Sequence, residues 1–231
     1  MSEATEKVTG VSELPLFPLP MVLFPGVPLP LHIFEPRYRQ MLEDINGTNN
    51  IFGLSYFDDT DNEIPPAGHI GCAAEVTEIQ TLPDGRSNIL TVGVIRYRVE
   101  KYVEREREYL TAQVSFFEDE PDDSESLRAS AQEVAATFTR IARSVRKIND
   151  ERANLPDISD TEPQRLSFLV AAAVELDMDM KQTLLELRST QERLDRLREI
   201  LALVVDNYEE RARIHDLAKG NGHSGKKFEI E

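Results

Sequence analysis

"LPLFPLPMVLFPGVPLPLHIFEPRYRQML", residues 14 to 42, sets Pro15, Pro18, Pro20, Pro25, Pro28 and Pro30 among large apolar side chains, then abandons that pattern after Pro36. Proline has no N–H to give to a strand ladder, so these positions belong at sheet edges, bulges and turns. The groups "LPLF", "MVLF" and "LPLHIF" therefore read as short extended pieces separated by bends, with Pro25-Gly26 the sharpest. Strands broken in this way suit a strongly bent sheet or a small barrel. Pro36 fits the first position of a helix, and Tyr38, Met41, Leu42 and Ile45 follow at helical spacing before Gly47 ends it.

Strand signals resume in "NIFGLSYF" (50 to 57), "HIGCAAEVTEIQTL" (69 to 82), "NILTVGVIRYRVEKYV" (88 to 103) and "YLTAQVSFF" (109 to 117). Ile95, Tyr97 and Val99 alternate with Arg96, Arg98 and Glu100, which predicts a sheet with one wet face. "PDGR" (83 to 86) predicts a hairpin turn, and hairpin-linked strands predict a mainly antiparallel meander. "EDEPDDSE" (118 to 125) then breaks the pattern with a run of acids. Beyond it Leu127, Ala131, Val134, Phe138, Ile141, Val145 and Ile148 step by four and three, the mark of one long amphipathic helix. A loop around "ANLPDISDTEP" leads to a helix opened by Pro163, then to a shorter one near 180 to 188 after Asp177 and Asp179. Ser189 and Glu192 form a capping box for a last helix carrying Leu194, Leu197, Leu201, Val204 and Tyr208. The expected division is a disordered N-terminus over 1–12, a β-rich part over 13–118, an acidic linker over 119–126, a helical part over 127–217 and a disordered tail over 218–231. The heptads are short enough to pack within one chain, and they leave homodimerisation open.

The chain has 231 residues and a formal charge of −16, from 42 acids against 26 bases. Such a charge repels phosphate backbones and anionic membrane surfaces, so neither nucleic acid nor membrane is the expected partner. Cys72 is the single cysteine, which removes internal disulfides and fits a reducing, cytoplasmic setting. The first thirteen residues lack an apolar core, and the apolar run after them is too proline-broken for a signal helix or a membrane span. "NGT" (46 to 48) reads as a turn.

Motifs that carry chemistry are sparse. Gly220, Gly222 and Gly225 match G-x-G-x-x-G without the preceding strand and following helix that phosphate binding requires, and Lys227 stands where a phosphate loop needs Ser or Thr. His69 with Cys72 is the one close ligand-like pair, whereas zinc needs three or four such groups. It reads as a strand-edge histidine beside a small buried thiol. No G-x-S-x-G, H-E-x-x-H or S-x-x-K motif occurs. Carboxylate runs such as "DDTDNE" (58 to 63) read as solvated loops. The sequence thus predicts no catalytic residue, no metal and no cofactor.

Residues 14 to 38 closely resemble the start of the Lon protease N-terminal domain, the substrate-binding domain also found in stand-alone proteins and in cereblon. Further matches follow in order: "GHIGCAAEV" (68 to 76), "DGRSNILTVGVIRYRV" (84 to 99), "YLTAQV" (109 to 114) and "KQTLLELRSTQERLDRL" (181 to 197), so the resemblance runs from about residue 12 to 205. It implies an α+β fold: an N-terminal PUA-like twisted β pseudo-barrel with one short helix, followed by a C-terminal helical bundle. In full-length Lon this domain precedes an ATPase module and a Ser-Lys protease module. With no Walker or protease motif here, the expectation is a stand-alone, non-catalytic recognition module. Cereblon's zinc-binding cysteines are missing, so its drug site is not carried over.

Such a module would bind unfolded or degron-bearing polypeptides and act as adaptor to a protease or chaperone. Recognition of an extended segment needs exposed apolar surface beside polar groups. The helix after Pro36 is the candidate, with Arg37, Tyr38, Arg39, Gln40 and Met41 as peptide-binding residues. Ordinary core packing is the competing reading for Tyr38 and Met41, and plain solvation for the polar three. Two alternatives are RNA binding, on the loose patch of Arg96, Arg98, Lys101, Arg105 and Arg107, and a residual peptidase activity.

Overall fold

The computed structural model describes residues 2–57, 64–151 and 154–221. Helix α1 (Glu3–Lys7) precedes strand β1 (Glu13–Leu19), β2 (Pro28–Ile33), helix α2 (Pro36–Ile45), β3 (Ile51–Tyr56), β4 (Ile70–Thr81), β5 (Ser87–Tyr102) and β6 (Leu110–Phe117). Then come α3 (Ser124–Ile148), α4 (Pro163–Ala173), α5 (Met178–Glu186) and α6 (Thr190–Asn221). Packing divides the chain into two compact units: Met1–Pro121 with Phe168–Ser189, and a second that starts with Asp122–Ser167 and resumes at Thr190.

In the first unit the strands run β2-β5-β4-β3-β1-β6, and β6 also pairs with β5, so five of them close on themselves and β2 lies outside the ring. The sheet is mixed rather than a meander. β1 pairs parallel with β3, because the chain leaves the ring after β1 to form β2 and α2 before it returns. The sixteen residues of β5 explain the closure. One edge pairs with β4 through Ser87–Arg98; the other pairs with β2 through Ser87–Val92 and with β6 through Arg96–Tyr102. Gly93 sits at the changeover. Its N–H donates to Val27 O at 3.0 Å, its carbonyl accepts from Gly26 at 2.8 Å, and a Cβ there would collide with the carbonyl of Phe24. The Pro25-Gly26 turn therefore docks directly on the strand. "MVLF" is not a strand: Leu23 and Phe24 are buried from an irregular segment that leads into that turn.

Tyr97 is fully buried in the ring and shares a 2.7 Å hydrogen bond with Ser55. A side chain at Gly71 would lie 2.5 Å from its hydroxyl, so the small residue makes room for the ring.

Arg96 corrects the expectation of a uniformly wet face on β5, for it is 1% exposed. Its guanidinium donates to the Leu185 carbonyl at 3.0 Å, to that of Leu187 and to Asp119, and lies over the rings of Phe117 and Phe168. Gln182 adds a bond from Nε2 to Ile70 O at 2.8 Å. These contacts hold α5 and the last turns of α4 on the barrel. The helical part expected as one piece over 127–217 is thus interrupted by a segment that packs with the strands.

In the second unit α3 and α6 run parallel. Ser126–Gln191 and Glu133–Arg198 are 65 residues apart and Arg140–Glu209 are 69 apart, a nearly constant offset along both helices. Ala131, Val134 and Ile141 of α3 and Leu194, Leu197, Leu201, Val205 and Ala212 of α6 are buried. Buried Arg193 donates to Ser167 Oγ at 2.8 Å and to Thr190 Oγ1 at 3.3 Å.

Both ends and the acidic linker differ from expectation. Residues 1–12 include α1, capped by Ser2, whose side chain accepts from the Thr5 N–H. The acidic segment 119–126 contains the start of α3, because Asp123 caps Ser126 N at 3.0 Å and acids at a helix N-terminus suit its dipole. At the other end α6 continues to Asn221. The remaining tail, 222–231, and the run 58–63 lie outside the described residues.

Candidate peptide-binding surface

β2 sets the surface. Val27 accepts from Gly93 and Leu29 accepts from the Thr91 hydroxyl at 2.8 Å, so alternate residues address β5 while Pro28, Pro30 and His32 turn their backbone groups to the free edge. Two of those three have no N–H. The edge is thereby acceptor-rich and resists pairing with another strand like itself. Side chains alternate as well: Ile33 is 2% exposed in the core, and Phe34 is 58% exposed. The Phe34 ring stacks on His32 at 6.1 Å, and His32 is itself held by Asn88 at 2.7 Å.

α2 follows at once, with Pro36 in its first turn. Tyr38, Met41, Leu42 and Ile45 are buried with Phe17, Phe52 and Ile89. Tyr38 lies 3.9 Å from the Phe17 ring, centroid to centroid, and burial pushes its hydroxyl pKa up. Arg37 and Gln40 are exposed and Arg39 is partly so. Arg37 lies 4.6 Å over the Tyr38 ring and pairs with Glu35 at 2.8 Å, while Arg39 reaches over Gly85 of the β4–β5 turn. The sequence-chosen five therefore split: Arg37, Arg39 and Gln40 share the exposed side of α2, and Tyr38 and Met41 support them from the core.

Beyond Gln40 a shallow, open depression is lined by Gln40, Arg105, Glu106, Arg107 and Glu108. The β5–β6 loop is fastened to α2 at Asp44, which accepts from Arg107 at 2.5 Å and from the Tyr109 hydroxyl at 2.7 Å. Burial and the bond to Asp44 hold the Tyr109 pKa above the ordinary tyrosine value. Arg105 pairs with Glu13 at 2.6 Å and holds that carboxyl below the usual range. With Arg96 buried, Arg105 bound to Glu13 and Arg107 bound to Asp44, the loose basic patch does not form one free cationic face. Phe34 is not among the five residues chosen from the sequence, and Arg105 and Arg107 enter there only through the RNA-binding alternative. The period of two that puts Ile33 inward is the signal that would have found Phe34.

Among the described residues no group of three or more His, Cys, Asp or Glu is placed to hold a metal ion. Cys72 is fully buried, and burial pushes its thiol up to about 12. No described helix is long and apolar enough to cross a membrane.

Residues 13–202 match the family model of the ATP-dependent protease La (LON) substrate-binding domain, and the chain belongs to that family. It is 28% identical over 207 residues to a Lon protease of Brevibacillus choshinensis, covering 87% of this chain and 26% of that protein. A Lon protease of Rhizobium meliloti is 26% identical over 201 residues, covering 85% of this chain and 25% of that one. The chain thus spans about a quarter of the length of these curated relatives. Among solved structures, a Lon N-terminal domain protein from Xanthomonas campestris superposes with a TM-score of 0.63 at 25% identity, covering 81% of this chain and 97% of that one. The N-terminal domain of a Mycobacterium avium complex Lon protease gives 0.62 at 17% identity, with 82% and 98% covered, a likeness of fold.

Proposed function

We propose that this chain recognises polypeptides without catalysing a reaction on them, and that it does so on the surface formed by Phe34, the exposed side of α2 and the 105–108 loop. Membership of a substrate-binding domain family supports the general role. The observation that carries the location is Phe34, an aromatic ring 58% exposed between a proline-blunted strand edge and a polar helix face. Apolar anchor beside Arg37, Arg39 and Gln40 is the composition that a segment with aromatic side chains and free backbone groups can use. Tyr38 and Met41 act from beneath by fixing the pitch of α2. The bound segments would be unfolded or degron-bearing stretches, and the protein would hand them to a protease or chaperone.

Fluorescence anisotropy of a labelled, extended, aromatic-rich peptide tests this reading. The parent protein should bind in the micromolar range without nucleotide, and Phe34→Ser with Arg37→Ala should weaken binding roughly tenfold, as loss of an aromatic or arginine anchor does. Unaltered affinity in that variant would remove the surface from the account.

A further inference from the structure

The helix α6 carries a second apolar stripe apart from the one that packs on α3. Ile200, Leu203, Asn207, Glu210, Ile214 and Leu217 recur at alternating steps of three and four, within an arc of about 100° at 3.6 residues per turn. Leu203 is 84% exposed, Ile214 and Leu217 are each 55% exposed and Ile200 is partly exposed, so among the described residues nothing covers most of this stripe. Isolated exposed leucines need no explanation, but four Ile or Leu residues in a heptad register do.

We propose that this stripe is a homodimer contact, in which α6 of a second copy lies antiparallel across it about a two-fold axis. The order of residues selects the occupant and its direction. Reversed upon itself about its midpoint, the stripe sets Ile200 against Leu217, Leu203 against Ile214 and Asn207 against Glu210 of the second copy. Every apolar side chain meets an apolar one, and an amide donor meets a carboxylate. A parallel arrangement would bring Glu210 against its own copy, with like charges opposed at the centre of the contact. The flanks agree with the antiparallel choice, since Asp206 falls beside Arg213 of the second copy, twice by symmetry. Arg213 now pairs with Glu210 at 2.7 Å on the exposed surface, and from there its guanidinium can face both carboxylates. Self-complementarity of charge along one face is what an isologous contact requires and what an unrelated helix would match only by chance.

Sedimentation velocity of the full chain over a concentration series tests the proposal, with circular dichroism to follow folding. The parent should pass from monomer to dimer with rising concentration, while Leu203→Glu with Ile214→Glu should stay monomeric with unchanged helix content. Arg213→Asp should weaken association, and adding Asp206→Arg should restore it. A parent that remains monomeric throughout, a dimer indifferent to the Leu203 and Ile214 changes, or a charge reversal that fails to restore association would each overturn it.

Discussion

Arg96 is the residue whose environment departs furthest from its sequence context. It stands between Ile95 and Tyr97 on a strand that reads as alternately dry and wet, yet its charge is enclosed with Asp119 and the carbonyls of Leu185 and Leu187. A guanidinium supplies enough donors, in a fixed plane, to satisfy a carboxylate and several carbonyls at once, which no other side chain does. Removing one member of a buried pair leaves the other without compensation. Arg96→Ala is therefore expected to cost about 3–5 kcal/mol in urea unfolding, with α5 the first element to lose hydrogen-exchange protection; an unchanged midpoint would mean that the pair is unimportant. Cys72 gives a second prediction. Burial raises its pKa from 9.0 to about 12, so the folded state holds the neutral thiol. Below pH 9 both folded and unfolded chains keep the proton and this contribution to stability is intact; it is lost as pH rises from 9 towards 12. At neutral pH a thiol reagent should label Cys72 only as fast as the protein unfolds, and immediate labelling of the native protein would contradict that burial.

At the scale of elements, legibility followed the reach of the signal. Proline at helix position one, a two-residue period and aspartate caps are local, and α2, β3 to β6 and the Asp177-capped α5 all fall within a residue or two of their sequence reading. The β4–β5 turn over 83–86 is likewise where "PDGR" sets it, with Leu82 and Arg86 bonded across it at 2.7 Å. Pairing partners are not local. Nothing in "LPLF" announces that β1 will lie parallel to β3, and nothing in "VGV" announces that Gly93 marks the change from β2 to β6, because both depend on chain segments tens of residues away. The two-residue period at Arg96 was read correctly as geometry and wrongly as exposure, since a strand's outer face is wet only where no helix covers it. For the candidate surface, composition and spacing picked out α2, and packing then separated Arg37, Arg39 and Gln40 from Tyr38 and Met41. Phe34 escaped because a large apolar residue is ordinarily taken for core.

The molecule as a whole combines a closed barrel whose ring is filled by side chains such as Tyr97 and a helical unit built on the parallel pair α3 and α6. Neither contains a described cluster fit for metal chemistry, and the buried Cys72 thiol is held neutral. What the barrel unit offers is surface: a strand edge blunted by Pro28 and Pro30, an exposed aromatic ring, and a helix face held at a fixed angle by its buried side. The most direct test of peptide recognition there is hydrogen–deuterium exchange of the full chain with and without the aromatic-rich peptide. The account predicts added protection confined to residues 32–44 and 103–109. Protection elsewhere, with those two segments unchanged, would contradict it.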